Sequence, residues 1–116
     1  MNKTIVSAIS VVLLIVGGLG FFSDPLFGIF EVDPLHNIVH LLTGVLGLLA
    51  VSLDWETMFA RTFGVIYALV AVLGFWMGSV LGMQMNMADN VLHLVLALVF
   101  LCLGFWCAKE ESSMQA

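Results

Sequence analysis

Charge is scarce in this chain, and positive charge is scarcest. Three Lys+Arg stand against eight Asp+Glu in 116 residues, only 9% of positions are charged, and the formal net charge is −5. With no basic surface to neutralise phosphates, nucleic-acid binding is excluded as a function class, and an anionic membrane surface is an equally poor partner. Cysteine is limited to Cys102 and Cys107. They sit five apart in one apolar run, where an α-helix turns the two side chains to different faces, so no internal disulfide is expected. No Ser-His-Asp, Walker-type or Cys-x-x-Cys arrangement is present, and the glutamates lie only in connectors and tail, which leaves no catalytic constellation. What the chain has in excess is apolar residues, 62% of the total. An ordinary soluble domain is about half apolar and a quarter charged, so a soluble monomer is excluded, and the length suits one domain.

Four apolar stretches of about 20 residues follow one another, each long enough at 1.5 Å rise per residue to cross a hydrocarbon core of roughly 30 Å. The expected spans are residues 4–22, 34–53, 60–82 and 89–108. Polar connectors separate them: Ser23-Asp24-Pro25 through Glu31-Val32-Asp33, then Asp54-Trp55-Glu56-Thr57, then Gln84-Met85-Asn86-Met87, with Lys109-Glu110-Glu111 opening a polar tail. Lys3, Arg61 and Lys109 fall on one side of a four-span chain, which by the positive-inside bias is the cytoplasmic side, so both termini are expected there. A cleaved leader is the competing reading of residues 1–20. Phe21, Phe22, Trp55, Trp76, Phe105 and Trp106 suit interfacial anchoring.

The most informative feature is an internal match. Asp33-Pro34-Leu35-His36-Asn37-Ile38-Val39-His40-Leu41 aligns without gaps on Asn86-Met87-Ala88-Asp89-Asn90-Val91-Leu92-His93-Leu94, and Leu19-Gly20-Phe21-Phe22 echoes Leu73-Gly74-Phe75-Trp76 at nearly the same spacing. The expected architecture is an all-α four-transmembrane-helix bundle of two duplicated helical hairpins, about 1–54 and 55–116, in a parallel repeat related by a pseudo-twofold axis along the membrane normal, N-in and C-in.

These two His/Asn segments resemble the pattern of a family of small bacterial four-helix membrane proteins catalogued only as a domain of unknown function. The resemblance covers nearly the whole chain. It implies a multi-pass protein of the bacterial cytoplasmic membrane and no particular activity. Met83-x-Met85-x-Met87 lies outside that pattern.

Asp33 before Pro34 reads as a helix N-cap with proline at the first helical position, and Asn86 takes the equivalent place. His36 and Asp89 then fall at N3, within reach of the cap. His40 and His93 lie about 10 Å further along their helices, towards hydrocarbon, where a polar group must find a partner. One reading is structural: Asn37, His40, Asn90 and His93 hydrogen-bond across the bundle near the outer face and fix its register, in a non-catalytic accessory or interaction subunit with no cofactor. The alternative is a metal centre for Zn, Fe or Cu built from His40, His93 and Asp89, with His36 as a fourth ligand; the thioethers of Met83, Met85 and Met87 would suit Cu(I). Haem between His40 and His93 is a less favoured variant, for want of space. A proton relay needs a polar path inward, and below His40 only Thr43 and Cys102 offer one. Gly74, Gly78 and Gly82 recur at four-residue spacing and, with Gly17, Gly20, Gly44 and Gly47, read as helix-packing surfaces. Partners beyond the bilayer would be a larger membrane complex or a second copy.

Overall fold

The computed structural model describes residues 2–23, 28–29 and 33–107. It contains four helices, Asn2–Leu19 (α1), Pro34–Ser52 (α2), Glu56–Met77 (α3) and Met87–Leu101 (α4), with a short antiparallel hairpin, Ser79–Val80 (β1) and Met83–Gln84 (β2), between α3 and α4. A π-helical segment, Cys102–Cys107, continues α4, so the fourth apolar span runs Met87–Cys107. With that continuation, all four helical spans are long and apolar enough to cross a membrane.

Burial is inverted relative to a water-soluble protein. Val12, Ile15, Leu42, Leu49, Leu69, Val72, Val95 and Leu98 are exposed, whereas Asn2, Ser10, His36, Asn37, His40, Thr43, Asp89, Asn90 and His93 are each at most 4% exposed. In water such an apolar exterior drives aggregation; against lipid it costs nothing, and polar side chains gather inside instead.

The helices pack most extensively as α1 on α2 and α3 on α4. Small residues make this close approach possible, since lipid tails are as apolar as the helices and association depends on packing. A Cβ added at Gly44 would lie 2.7 Å from the Ser10 carbonyl oxygen, and one at Gly104 would lie 2.8 Å from the Arg61 backbone nitrogen. Near the end that carries Lys3, Val6, Ala50, Phe59, Ala60, Tyr67, Ala97, Phe100 and Leu103 form an apolar core drawn from all four helices. The Phe59 and Phe100 rings meet edge to face at 5.6 Å, a favourable quadrupole arrangement. At this end Lys3 pairs with Asp54 and Glu56, Asn2 donates to the Leu103 carbonyl at 3.2 Å, and Arg61 donates to the Gly104 carbonyl at 2.6 Å. The start of α1, the α2–α3 connection and the end of the fourth span are therefore neighbours. Asp24, Glu31, Val32 and Lys109 with its tail lie outside the described residues.

Three expectations from sequence are corrected. The first concerns α3, which ends at Met77 and not near Gly82. Gly78 takes the left-handed conformation (φ 73°) and donates to the Gly74 carbonyl, a glycine C-cap that stops the helix. Gly78 and Gly82 are thus not packing glycines; an added Cβ meets nothing within 4 Å at either. Gly74 is one. Leu81 (φ 51°) and Gly82 (φ 86°) form the hairpin turn, where two left-handed residues match the twist of the strands.

The second correction is α1, which runs Asn2–Leu19 and gives way to tight turns through Phe22. The third is the cysteine pair. Because the backbone of 102–107 is π-helical, five residues make slightly more than one turn, and Cys102 Sγ lies 3.9 Å from Cys107 Sγ. They share a face, and no disulfide joins them.

Candidate metal centre

Two helix starts aim the histidines. Asp33 is extended and its Oδ1 accepts from the His36 backbone N–H at 2.9 Å, with Pro34 at the first helical position. Asn86 does the same for α4: its Oδ1 accepts from the Asp89 N–H at 2.9 Å, and Asp89 Oδ2 accepts from the Asn86 N–H at 3.1 Å, a reciprocal capping box. These caps satisfy amide donors that the helix itself leaves unpaired and fix where each helix begins. Once the start is fixed, His36 and His40 are one turn apart on a single face of α2.

The three histidines meet between α2 and α4. The His36 and His40 ring centroids are 4.3 Å apart, and His93 lies 5.4 Å from His36 and 6.1 Å from His40. One ring nitrogen from each can be chosen so that all three lie within 4.8 Å of one another. Tetrahedral ligands at 2.0–2.1 Å from a metal stand about 3.4 Å apart, so a shift of the order of 1 Å in these side chains closes the set around an ion. Among the described residues this is the one such group of titratable ligands.

The histidines line a cavity of about 50 Å³, together with Val39, Thr43, Phe63, Ile66, Tyr67, Val70, Met83 and Met85. That volume holds an ion or a few water molecules and leaves no room for a porphyrin. A larger cavity, about 230 Å³ between Leu46, Trp55, Met58, Phe59 and Phe63, carries no imidazole, thiol or carboxylate, so volume alone does not mark a site. At the floor of the smaller cavity the Tyr67 hydroxyl donates to Thr43 Oγ1 at 3.3 Å, and Thr43 donates to the Val39 carbonyl at 2.8 Å. Tyr67 went unnoticed in the sequence. Its signal was there, as the one tyrosine of the chain in the middle of a span.

Among the described residues no hydrogen bond joins Asn37, His40, Asn90 and His93 to one another, so the expected network is not shown. Both ring nitrogens of His40, Nδ1 of His93, and the Oδ1 atoms of Asn37 and Asn90 are buried without a hydrogen-bond partner. The reason is where the amides go. Asn37 Oδ1 sits where a Cβ of Gly20 would stand, and Asn90 Oδ1 where a Cβ of Gly74 would stand. Each asparagine fills a glycine notch on its hairpin partner. The expected ligand set also changes. Asp89 is spent on the α4 cap, and His36 takes its place beside His40 and His93. Met83 and Met85 are buried at 5% and 4% exposure, while Met87 is 64% exposed and points elsewhere.

A donor nitrogen buried in an apolar interior is costly unless something satisfies it.

Fold and site together define a multi-pass α-helical membrane protein with three imidazoles gathered inside its helices. The chain belongs to the family described as domain of unknown function DUF4383, whose model matches residues 3–106. Among curated proteins and solved structures, none matches it significantly.

Proposed function

We propose that this protein binds a single transition-metal ion between His36, His40 and His93. The observation that carries the reading is the convergence of three imidazole nitrogens within 4.8 Å on a cavity of about 50 Å³, with both His40 nitrogens lacking any other partner. Three neutral imidazoles are a common ligand set for Zn, Cu and Fe. The small, largely apolar cavity favours a non-catalytic role as an accessory or interaction subunit, alone, with a second copy or in a larger membrane complex.

The positive-inside bias, with Lys3 and Arg61 at one end of the helices, supports cytoplasmic termini in the bacterial cytoplasmic membrane and a metal centre near the outer face. The matched caps, histidines and Asn-on-Gly contacts of the two hairpins favour their origin by duplication.

The test is elemental mass spectrometry on protein purified in mild detergent without a histidine tag, repeated on His40→Asn. The expected result is close to one equivalent of one metal per chain in the parent and loss of at least nine-tenths of it in the variant. Full occupancy in the variant, or no metal in the parent after each ion is added back, overturns the reading.

A further inference from the structure

We propose that the thioethers of Met83 and Met85 complete the centre and make it selective for a soft monovalent ion, Cu(I). This rests on the metal reading of the same cavity and names the ion it is built for.

The hairpin β1–β2 is the device. Gly78 ends α3, and the left-handed pair Leu81 and Gly82 reverses the chain, so that an apolar segment folds back over the cavity instead of extending the helix. Alternation along an extended segment points every second side chain to one face. Met83 and Met85 are accordingly buried, with Gln84 exposed between them. Both methionines line the cavity that the three histidines line.

The hairpin is fastened to the helix that bears two of those histidines. Gln84 N donates to Asp33 Oδ2 at 3.2 Å, and Asp33 Oδ1 accepts from the His36 N–H. Met85 N donates to the Gly78 carbonyl at 3.0 Å, closing the hairpin on itself. One carboxylate therefore sets the start of α2 and the position of the methionine strand.

The donor inventory selects the ion. Among the described residues no carboxylate lines the cavity, which offers imidazole, thioether and two hydroxyls that already bond each other. Mg²⁺ and Ca²⁺ require oxygen ligands, which these side chains do not favour. Thioether sulfur is soft and favours Cu(I). An uncharged ligand set in an apolar surround also favours a monovalent over a divalent cation, because none of these side chains offsets the second charge.

The experiment compares the parent with Met83→Leu/Met85→Leu, a swap of similar volume that leaves the packing largely intact, and with His40→Asn. Each is titrated in detergent with Cu(I) against a chromogenic Cu(I) chelator, with Ag(I) as a redox-inert analogue, and with Zn(II). The parent is expected to bind Cu(I) and Ag(I) at least a hundredfold more tightly than the methionine double variant, with Zn(II) affinity changed less than threefold. X-ray absorption of the Cu(I)-loaded parent is expected to show sulfur bonded to copper, absent in the double variant. Unchanged Cu(I) affinity in the double variant, or a parent that binds Zn(II) and neither Cu(I) nor Ag(I), overturns this inference and leaves the histidine centre standing. A parent that binds none of the three overturns both.

Discussion

The α1–α2 and α3–α4 pairs share several local contacts and differ at one position on their second helices, and that position decides what each contributes to the cavity. In each, a polar residue caps the second helix, an asparagine one residue past N3 fills a glycine notch on or just past the first helix, and a histidine follows seven residues after the cap. At N3 the hairpins part. Asp89 returns to its cap and completes a capping box. His36 has no acidic oxygen with which to do so, and its imidazole joins His40 and His93 instead. A carboxylate accepts from a backbone N–H at short range; an imidazole is longer and reaches the next helix. Two similar frames thus yield three histidines on one cavity, an odd number that strict symmetry would not produce.

The sharpest way to break this comparison is to make the first hairpin imitate the second. His36→Asp is expected to build a capping box on α2 and to leave only two imidazoles at the cavity. Metal affinity should then fall about 100-fold or more, by loss of a direct ligand, measured by competition with a chelator, while the helix content by circular dichroism is retained. Retained affinity would mean that His36 is not a ligand.

A smaller effect tests the shared part of the frame. Gly74→Leu places carbon where Asn90 Oδ1 now stands and is expected to destabilise the protein by about 1–3 kcal/mol, as overpacking does. Gly18→Ala, where a new Cβ meets nothing within 4 Å, should change stability by less than about 0.5 kcal/mol. Unfolding in mixed micelles reports both. Equal effects at the two glycines would remove the packing argument.

The smallest expected effect concerns the residue that gave up ligation for capping. Asp89→Ala leaves the Asn86 N–H without its acceptor and should cost about 1 kcal/mol, with metal stoichiometry unchanged. Loss of metal in this variant would return Asp89 to the ligand set.

How much of this was legible beforehand follows from the range of the forces involved. Each span is a run of some 20 apolar residues, and Asp33-Pro34 and Asn86-x-x-Asp89 are local cap patterns, so the number of helices and the starts of α2 and α4 could be read directly. The end of α3 could not. Residues 78–83 remain almost wholly apolar, and hydropathy does not separate a helix facing lipid from a hairpin folded inward over a cavity. Gly78 and Gly82 looked like helix packing because their four-residue spacing fits it; their left-handed backbone is visible only in three dimensions. The π-helical turn at Cys102–Cys107 is equally silent, since the hydropathy of those six residues is the same at either helical pitch.

The sequence by itself determined that this chain lives in a membrane, crosses it in four helices and carries a few polar residues that must be satisfied inside. Those are consequences of transfer free energy, which each segment expresses alone. Only the tertiary structure decided which polar residues meet. Asn37 and Asn90 went to glycines, Asp89 to its own helix cap, and His36, His40 and His93 to one another with Met83 and Met85 beside them. That choice depends on how two hairpins abut and on where one glycine stops a helix, and it involves residues up to half the chain apart whose contact no local pattern records.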